Sequence, residues 1–278
     1  MNDGPRAIQS MSELLEMVTD RDLLILKDLE QLRLLTTRQI QRLRFTRHVS
    51  VSSATRTAVR VLNRLEGHGL VTRLPRRIGG TIRGSAANIW QLGATGERLL
   101  RRLSGEQSRR RYVEPSRQFV HHTIAVAETA VEIFEAMERG EFELLELEAE
   151  PDCWREYLNA VGGREWLKPD LFVVTANAEY ESHSFVEVDR GTEHLPAVLR
   201  KCDAYQRYWR SGNEQASRDL FPAVVWIVPN ERRAATLRAA IRDRPDLNVH
   251  LFHVTTPDRA TPIIGPGDPT PKTKGETP

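Results

Sequence analysis

Apolar residues recur with helical spacing through the first third of the chain. Ile25, Leu29 and Leu32 follow an i, i+4, i+7 pattern, and Asp22 stands where it can cap the helix that this pattern predicts. After a short connection at residues 34–36, a second helix is predicted, capped by Thr36 or Thr37, with Ile40 and Leu43 pointing inward.

A third helix is predicted from Ser53 to about Glu66, with a buried stripe of Ala58, Val61, Leu62 and Leu65. Residues 70–74 and 88–92 alternate in the manner of strands, and glycine and arginine fill the connection between them. A closing helix is predicted from Thr95 to Leu103. The first part of the chain is therefore expected to be helical with one hairpin.

Helices and strands alternate in the second part of the chain. Helices are predicted at residues 119–138, 193–209 and 231–242, and strands at 142–147, 170–175, 184–189, 222–228 and 249–254, with an irregular stretch after residue 147. The apolar run at 222–228 is typical of an interior strand. The element order predicts a mixed sheet covered by helices.

These patterns place the chain in the α/β class with an α+β organisation of two domains. The expected limits are a first domain at residues 19–104, a linker at 105–117, a second domain at 118–256 and a disordered tail at 257–278. The tail is expected to be disordered because prolines stand there among polar residues.

Cysteine content and hydropathy narrow the class of protein. The two cysteines, Cys153 and Cys202, suit a reducing compartment and provide neither a disulfide framework nor a cysteine-rich zinc site. Residues 1–10 contain no apolar run of signal-peptide length, and no stretch of the chain approaches the length of a membrane helix. We therefore expect a cytoplasmic protein without a membrane partner.

Charge is divided unevenly along the chain. Residues 1–118 hold 22 Lys and Arg against 11 Asp and Glu, whereas residues 119–278 hold 18 against 27, although the net charge is only +2. A basic first half indicates a polyanionic partner, and the alternative is a set of solvated arginines.

The outward face of the third predicted helix carries residue types that contact DNA. Arginine makes bidentate hydrogen bonds to guanine or phosphate, asparagine binds adenine in the same way, and threonine contacts either. This face holds Arg56, Thr57, Arg60, Asn63 and Arg64. The connection after the first strand adds further candidates for phosphate contacts at its tip, Arg76, Arg77 and Arg83. The expected partner is double-stranded DNA.

Order and spacing of these elements resemble the winged helix-turn-helix family, and the phrase GLVTRLPRR…NIWQLGATGERLL is similar to its strand–wing–strand–helix ending. The alternative use of such a domain is protein contact or dimerisation, so a homodimer stays open.

Acidic residues gather where two predicted strands meet. Pro169-Asp170 begins one strand, while Glu187 and Asp189 end the next, two residues apart and hence on one face. Converging carboxylates suit Mg²⁺ or Mn²⁺, and Asp170 and Glu187 are the candidate ligands. Surface positions for these acids, or an ion pair between Asp189 and an arginine, are the alternatives.

This arrangement resembles the PD-(D/E)XK nuclease superfamily, whose motif is Pro-Asp, a hairpin, then an acidic residue, any residue and lysine. Pro169, Asp170 and Glu187 match, whereas Asp189 stands at the lysine position. Some members carry the lysine on the following helix, where Lys201 is the candidate, with Arg190 as a second cation. The resemblance implies a restriction-endonuclease-like domain with Asp170, Glu187, Asp189 and Lys201 as catalytic candidates.

The longer phrase LKPDLFVV…SFVEVDRGTEHLPAVLRKCDAYQRYW, preceded by the winged-helix pattern, resembles the bacterial replication-relaxation family. That resemblance implies an accessory factor in replication or mobilisation of plasmids and other mobile elements, with replication or mobilisation proteins as further partners. Two alternatives stay open: an active Mg²⁺-dependent DNA endonuclease and a winged-helix transcription regulator. Whether the chain is an enzyme is open at this point.

Overall fold

The protein has a mixed α/β fold organised as two compact units. The computed structural model describes residues 11–46, 50–75, 88–105, 116–159 and 161–267. The two units are Met1–Val131 and Glu132–Pro278. The predicted α/β class with α+β organisation is confirmed.

The first unit is mainly helical and contains one small sheet. Its helices are α1 (Met11–Met17), α2 (Asp20–Leu32), α3 (Thr37–Arg44), α4 (Val51–Gly67) and α5 (Ala94–Ser104). Its strands are β1 (Leu35–Thr36), β2 (Val71–Arg73) and β3 (Ile89–Leu92), paired antiparallel in the order β1-β3-β2.

Hydroxyl side chains fix where these helices begin. Thr19 caps α2 and Thr36 caps α3, each in a reciprocal capping box, and Ser50 caps α4. The prediction that Asp22 caps α2 was wrong by three residues, because Asp22 is the third residue of the helix and accepts from the Thr19 backbone N–H at 2.9 Å. Helix α4 begins at Val51, two residues before the predicted start at Ser53.

The core of the first unit explains why the unit reaches beyond the predicted linker. Val120, in the helix α6 (Arg117–Glu138), packs in one buried cluster with Leu34, Leu74 and Ile89. The division between the units falls within α6, at Val131. The sequence placed this whole helix in the second domain, because periodicity shows that a stripe is buried but not against what.

The second unit is built on a five-stranded sheet. Its strands are β4 (Glu143–Ala149), β7 (Leu171–Ala176), β8 (Glu181–Val188), β9 (Ala223–Ile227) and β10 (Phe252–Thr255), in the order β10-β9-β8-β7-β4. The pairs β4–β7 and β7–β8 are antiparallel, while β8–β9 and β9–β10 are parallel. The apolar strand β9 lies inside the sheet, as its composition predicted.

Helices cover both faces of this sheet. They are α7 (Leu195–Ser211), α8 (Asn213–Arg218), α9 (Glu231–Arg242) and α10 (Ala260–Ile264). Side chains of α7 and α9 share one buried cluster with Phe172, Phe185 and Trp226. On the other face, the Thr175 hydroxyl donates to the carbonyl of Ile264 at 2.8 Å, which fixes α10 there.

A separate hairpin replaces the irregular stretch that the sequence predicted. Strands β5 (Arg155–Leu158) and β6 (Arg164–Leu167) pair antiparallel, with Arg155 opposite Leu167. Tyr157 and Leu167 are buried, whereas Leu158 and Trp166 are exposed. Polar residues dominate this segment, so its two-residue alternation was not visible as a strand pattern.

The predicted disorder of residues 257–278 was wrong for the first eleven of them. Residues 257–259 form a 3-10 helix and α10 follows, with Ala260 and Ile264 buried. The apolar residues among the prolines find a partner in the sheet, which composition alone does not show. Residues 268–278 lie outside the described part of the chain.

Both cysteines are buried free thiols. Among the described residues, no helix combines the length and the apolar character that crossing a bilayer requires.

The buried position of Ile264 predicts different effects for two truncations. A chain ending at residue 256 loses the burial of Ile264 and the hydrogen bond from Thr175, and we expect a loss of about 2–4 kcal/mol in the free energy of unfolding. A chain ending at residue 267 keeps both and is the matched control. Urea unfolding measures the difference, and equal stability of the two truncated chains would contradict the packing of α10.

Candidate functional site

Strand pairing brings the two predicted carboxylates together. Leu171 of β7 lies opposite Val186 of β8, and the Asp170 backbone N–H donates to the carbonyl of Val186 at 3.1 Å. Asp170 immediately precedes β7, so one step beyond that pair it faces Glu187, close enough for its charge to raise the pKa of Glu187. Asp170 is 5% exposed and Glu187 is 1% exposed. The two acids are thus a buried cross-strand pair at the edge where β8, β9 and β10 end.

Donors from the sheet and from α7 hold these carboxylates. The Val188 backbone N–H donates to Asp170 Oδ2 at 2.7 Å. Lys201 Nζ donates to Glu187 Oε2 at 2.9 Å, and the Tyr205 hydroxyl donates to Glu187 Oε1 at 2.7 Å. Lys201 and Tyr205 are four residues apart on α7 and hence on one face of that helix. The helix that carries the candidate lysine therefore supplies both side-chain donors to Glu187.

The charge states at this site follow from burial and from the neighbouring charges. Burial and, to a smaller extent, the charge of Asp170 raise the pKa of Glu187 to about 7, against the opposing effects of Lys201 and Tyr205. Burial lowers the pKa of Lys201, but Glu187 and Asp170 outweigh it and leave that pKa above its usual value. The pKa of Tyr205 is raised by burial and by Glu187. Lys201 stays cationic and Tyr205 stays a donor at neutral pH, while Glu187 changes its charge there.

Asp189 is committed to another partner. Its Oδ2 accepts from Arg233 Nε of α9 at 2.7 Å, and its Oδ1 accepts from the Gly191 backbone N–H at 2.7 Å. Arg233 also donates to the carbonyl of Glu193 at 2.8 Å, so it ties the strand end to the loop before α7. The structure thus gives Asp189 the ion pair that was the alternative to a catalytic position, with Arg233 rather than Arg190 as the arginine.

A second candidate surface lies on α4 of the first unit. Arg56 and Arg60 are exposed and Thr57 is half-buried, on the face opposite the buried Ala54, Ala58 and Leu62. Arg56, Thr57 and Arg60 belong to the N-terminal two-thirds of the helix, which Ser50 caps.

The other two predicted residues of α4 make internal contacts. Arg64 Nη2 lies 2.6 Å from both oxygens of Asp22, which is 1% exposed. Asn63 Oδ1 accepts from Arg73 of β2 at 2.8 Å. Arg64 therefore joins α4 to α2, contrary to the expectation that it points away from the core. Arg76, Arg77 and Arg83 lie outside the described residues, so their contact with DNA stays a prediction.

Comparison with known proteins identifies the family. A family model described as replication-relaxation matches residues 26–224, which include both the α4 surface and the Asp170–Glu187 pair. The chain belongs to the replication-relaxation family. No curated protein and no solved structure matches it. Membership in the replication-relaxation family supports a role in replication or in mobile elements.

The Asp170–Glu187 pair can hold a hard divalent cation only together with other ligands. Among the described residues, no group of three or more His, Cys, Asp and Glu side chains is arranged to hold a metal ion. Mg²⁺ is commonly bound by one or two carboxylates, with water and phosphate oxygens completing its octahedron. Each oxygen of Glu187 accepts one hydrogen bond, from Lys201 or from Tyr205, and keeps a further lone pair. The donor set of this replication-relaxation protein therefore fits Mg²⁺ or Mn²⁺ as a pair of protein ligands.

Sequence reasoning missed several groups at this site. Tyr205 was not among the candidates, although its position one turn after Lys201 was a signal that both reach the same acid. Glu150 follows β4, and its backbone N–H donates to the carbonyl of Asp170 at 3.3 Å. Glu150 therefore lies beside Asp170, on the side away from Glu187. The Val188 N–H and Arg233 had no signal in the sequence, because their contacts depend on pairing across the sheet.

The raised pKa of Glu187 predicts a pH-dependent stability. The folded state binds this proton up to about pH 7, whereas the unfolded state releases it near the ordinary glutamate pKa of 4.5, so stability falls as pH rises between these values. Glu187→Gln removes this decline. We expect the variant to gain about 2 kcal/mol relative to the wild type between pH 5 and pH 8 in urea unfolding. Glu181→Gln, an exposed position on the same strand, is the control, and a parallel shift in both variants would contradict the assignment.

Proposed function

We propose that this protein binds double-stranded DNA through a winged helix-turn-helix in its first unit and acts as an accessory factor in replication or mobilisation of plasmids or other mobile elements. The exposure of Arg56 and Arg60 on the outward face of α4 carries this proposal. Family membership supports the cellular context, and replication or mobilisation proteins are further proposed partners.

The order of elements around α4 supports its use as a recognition helix. Helices α3 and α4 follow one another, and β2 and β3 then pair antiparallel beside them. In a winged helix-turn-helix, the second of the two helices enters the major groove with its N-terminal residues on the base edges. Arg56, Thr57 and Arg60 stand at such positions, where an arginine forks guanine or phosphate.

Internal ion pairs support a rigid presentation of this face. Arg64 joins α4 to α2 through the buried Asp22, and Arg44 of α3 donates through Nε to Asp28 of α2 at 2.6 Å. A buried carboxylate that loses its arginine would be left uncompensated, which is strongly destabilising. These arginines therefore hold the helices, and the exposed ones are left for a polyanion.

The proposed interface predicts a loss of affinity and of salt dependence. In the double variant Arg56→Ala, Arg60→Ala, two phosphate or base contacts disappear, and we expect DNA affinity to fall roughly tenfold to a hundredfold. If both arginines contact phosphates, the slope of log K against log salt should fall by about 1.8. Fluorescence anisotropy with a labelled duplex measures both quantities.

The control for this experiment is Arg232→Ala, because Arg232 is an equally exposed arginine on α9 of the second unit. Arg64→Ala is expected to lower the free energy of unfolding as well, since it removes the arginine that balances the buried charge of Asp22. Unchanged affinity and salt slope in the Arg56, Arg60 variant would exclude α4 as the recognition helix.

A second candidate function is a Mg²⁺-dependent DNA endonuclease. The observation that favours it is the ion pair from Lys201 to Glu187 beside Asp170, because this is the acid, acid and lysine set of the PD-(D/E)XK pattern with the lysine on α7. Asp170 and Glu187 would hold the ion, which supplies Lewis-acid activation of a phosphodiester and of a water molecule. Lys201 would balance negative charge at the scissile phosphate.

Cleavage of supercoiled plasmid tests this second function. With Mg²⁺ or Mn²⁺ we expect nicked and linear products, none with chelator, and a loss of at least a hundredfold in rate for Asp170→Asn and for Lys201→Met. Asp258→Asn, at an exposed aspartate in the 3-10 helix after β10, is the matched control. If the wild type binds DNA but leaves the plasmid intact with either metal, the endonuclease is excluded and the binding role stands.

A further inference from the structure

The outer face of the β5–β6 hairpin carries large and charged side chains that are mostly exposed, apart from Trp154, which is half-buried against the core. We call it the ribbon face and define it by Trp154, Glu156 and Leu158 of the β5 segment and Arg164, Trp166 and Lys168 of the β6 segment. Trp166 is 51% exposed and Leu158 is 59% exposed, although a tryptophan normally contributes to a core. The inner face of the same hairpin buries Tyr157 and Leu167, so the hairpin already has its anchor.

The ribbon face leads directly to the buried acids. Arg164 and Trp166 alternate along β6 and so stand on one side of it, about 6.8 Å apart, and the exposed Lys168 follows β6 directly. Two residues after Lys168 the chain reaches Asp170, which directly precedes β7. In chain order, the segment therefore presents a cation, an aromatic ring, a cation and then the carboxylate site.

The cations of the ribbon face are available to an anion at small cost. Arg164 Nη1 lies 3.2 Å from Glu156, but the two side chains are 79% and 39% exposed. Such an exposed pair contributes little to stability, so a phosphate can replace the carboxylate. Lys168 Nζ lies 4.4 Å from the ring centroid of Trp154, which holds the ammonium on this face without neutralising it.

We propose that the ribbon face binds an unpaired DNA strand, with a base stacked on Trp166 and backbone phosphates held by Arg164 and Lys168, and that it directs this strand to the Asp170–Glu187 edge. This inference rests on the proposed function of a DNA-binding protein and names the form of DNA that the second unit takes. Aromatic rings and cations in a row are the features by which proteins hold single strands. A base inside a duplex has no free face to stack on a side chain, so the ring selects unpaired nucleotides.

The alternation of charges with the ring also distinguishes this face from a protein-docking patch. Leu158 and Trp166 are separated by Arg164 and Glu156 across the two strands, so the apolar surface is interrupted by charges. A protein interface is depleted of charged residues at its centre, where this face has them.

Binding to two matched DNA molecules tests the proposal. One is a blunt duplex, and the other is the same duplex with two unpaired oligothymidine tails, both labelled and titrated by fluorescence anisotropy. We expect the full chain to bind the tailed duplex more tightly, and we expect Trp166→Ala to lower that preference roughly tenfold. Trp166→Tyr keeps an aromatic ring and should retain most of it, while Lys168→Gln should reduce the salt dependence of the tailed complex alone.

Tyr180→Ala is the control, because Tyr180 is a comparably exposed aromatic residue, 44%, in the turn between β7 and β8 at the far end of those strands from Asp170. An unchanged preference in both Trp166 variants, with duplex binding intact, would overturn the ribbon face and leave the proposed function standing. Trp166-dependent binding of the tails without duplex binding would overturn the proposed winged-helix role instead. Absence of binding to either DNA would overturn both.

Discussion

The pairing of two buried carboxylates across β7 and β8 is the constraint on which the second unit depends. Asp170 and Glu187 lie opposite each other because Leu171 pairs with Val186, and like charges in this position destabilise a sheet. Burial adds to the cost and raises the pKa of Glu187 to about 7. The fold compensates with the Val188 N–H on one acid and with Lys201 and Tyr205 on the other. Helix α7 therefore turns both its buried apolar residues and the two donors towards the sheet.

The nearby carboxylate of Asp189 is balanced separately from the Asp170–Glu187 pair. Asp189 lies only two residues beyond Glu187 and would add a third negative charge, yet Arg233 binds it from α9 and also fixes the loop that leads into α7. The charge of Asp189 is thus balanced without Lys201. Stability and the candidate chemistry rely on the same residues here, so variants in this region are informative only when binding, cleavage and unfolding are measured together.

In the first unit, too, buried carboxylates are balanced by cationic side chains from neighbouring helices. Asp22 and Asp28 are buried on α2, and Arg64 and Arg44 reach them from α4 and α3. A basic sequence alone does not separate arginines that hold helices from arginines that face solvent. Arg56 and Arg60 remain on the outward face after that separation, and the proposed recognition of DNA rests on them.

The sequence by itself determined the order of most helices and strands, the α/β class and the family, because these depend on local periodicity and on the residues of the phrase around Pro169 and Glu187. It also named Asp170, Glu187 and Lys201 as candidates, but without their distances. Only the tertiary structure decided that Lys201 meets Glu187, that Asp189 and Arg64 bind partners elsewhere, and that α10 packs where a disordered tail was expected. Those outcomes depend on which strand lies beside which and on the register between them, and such contacts between residues distant in the chain leave no periodic signal in one sequence.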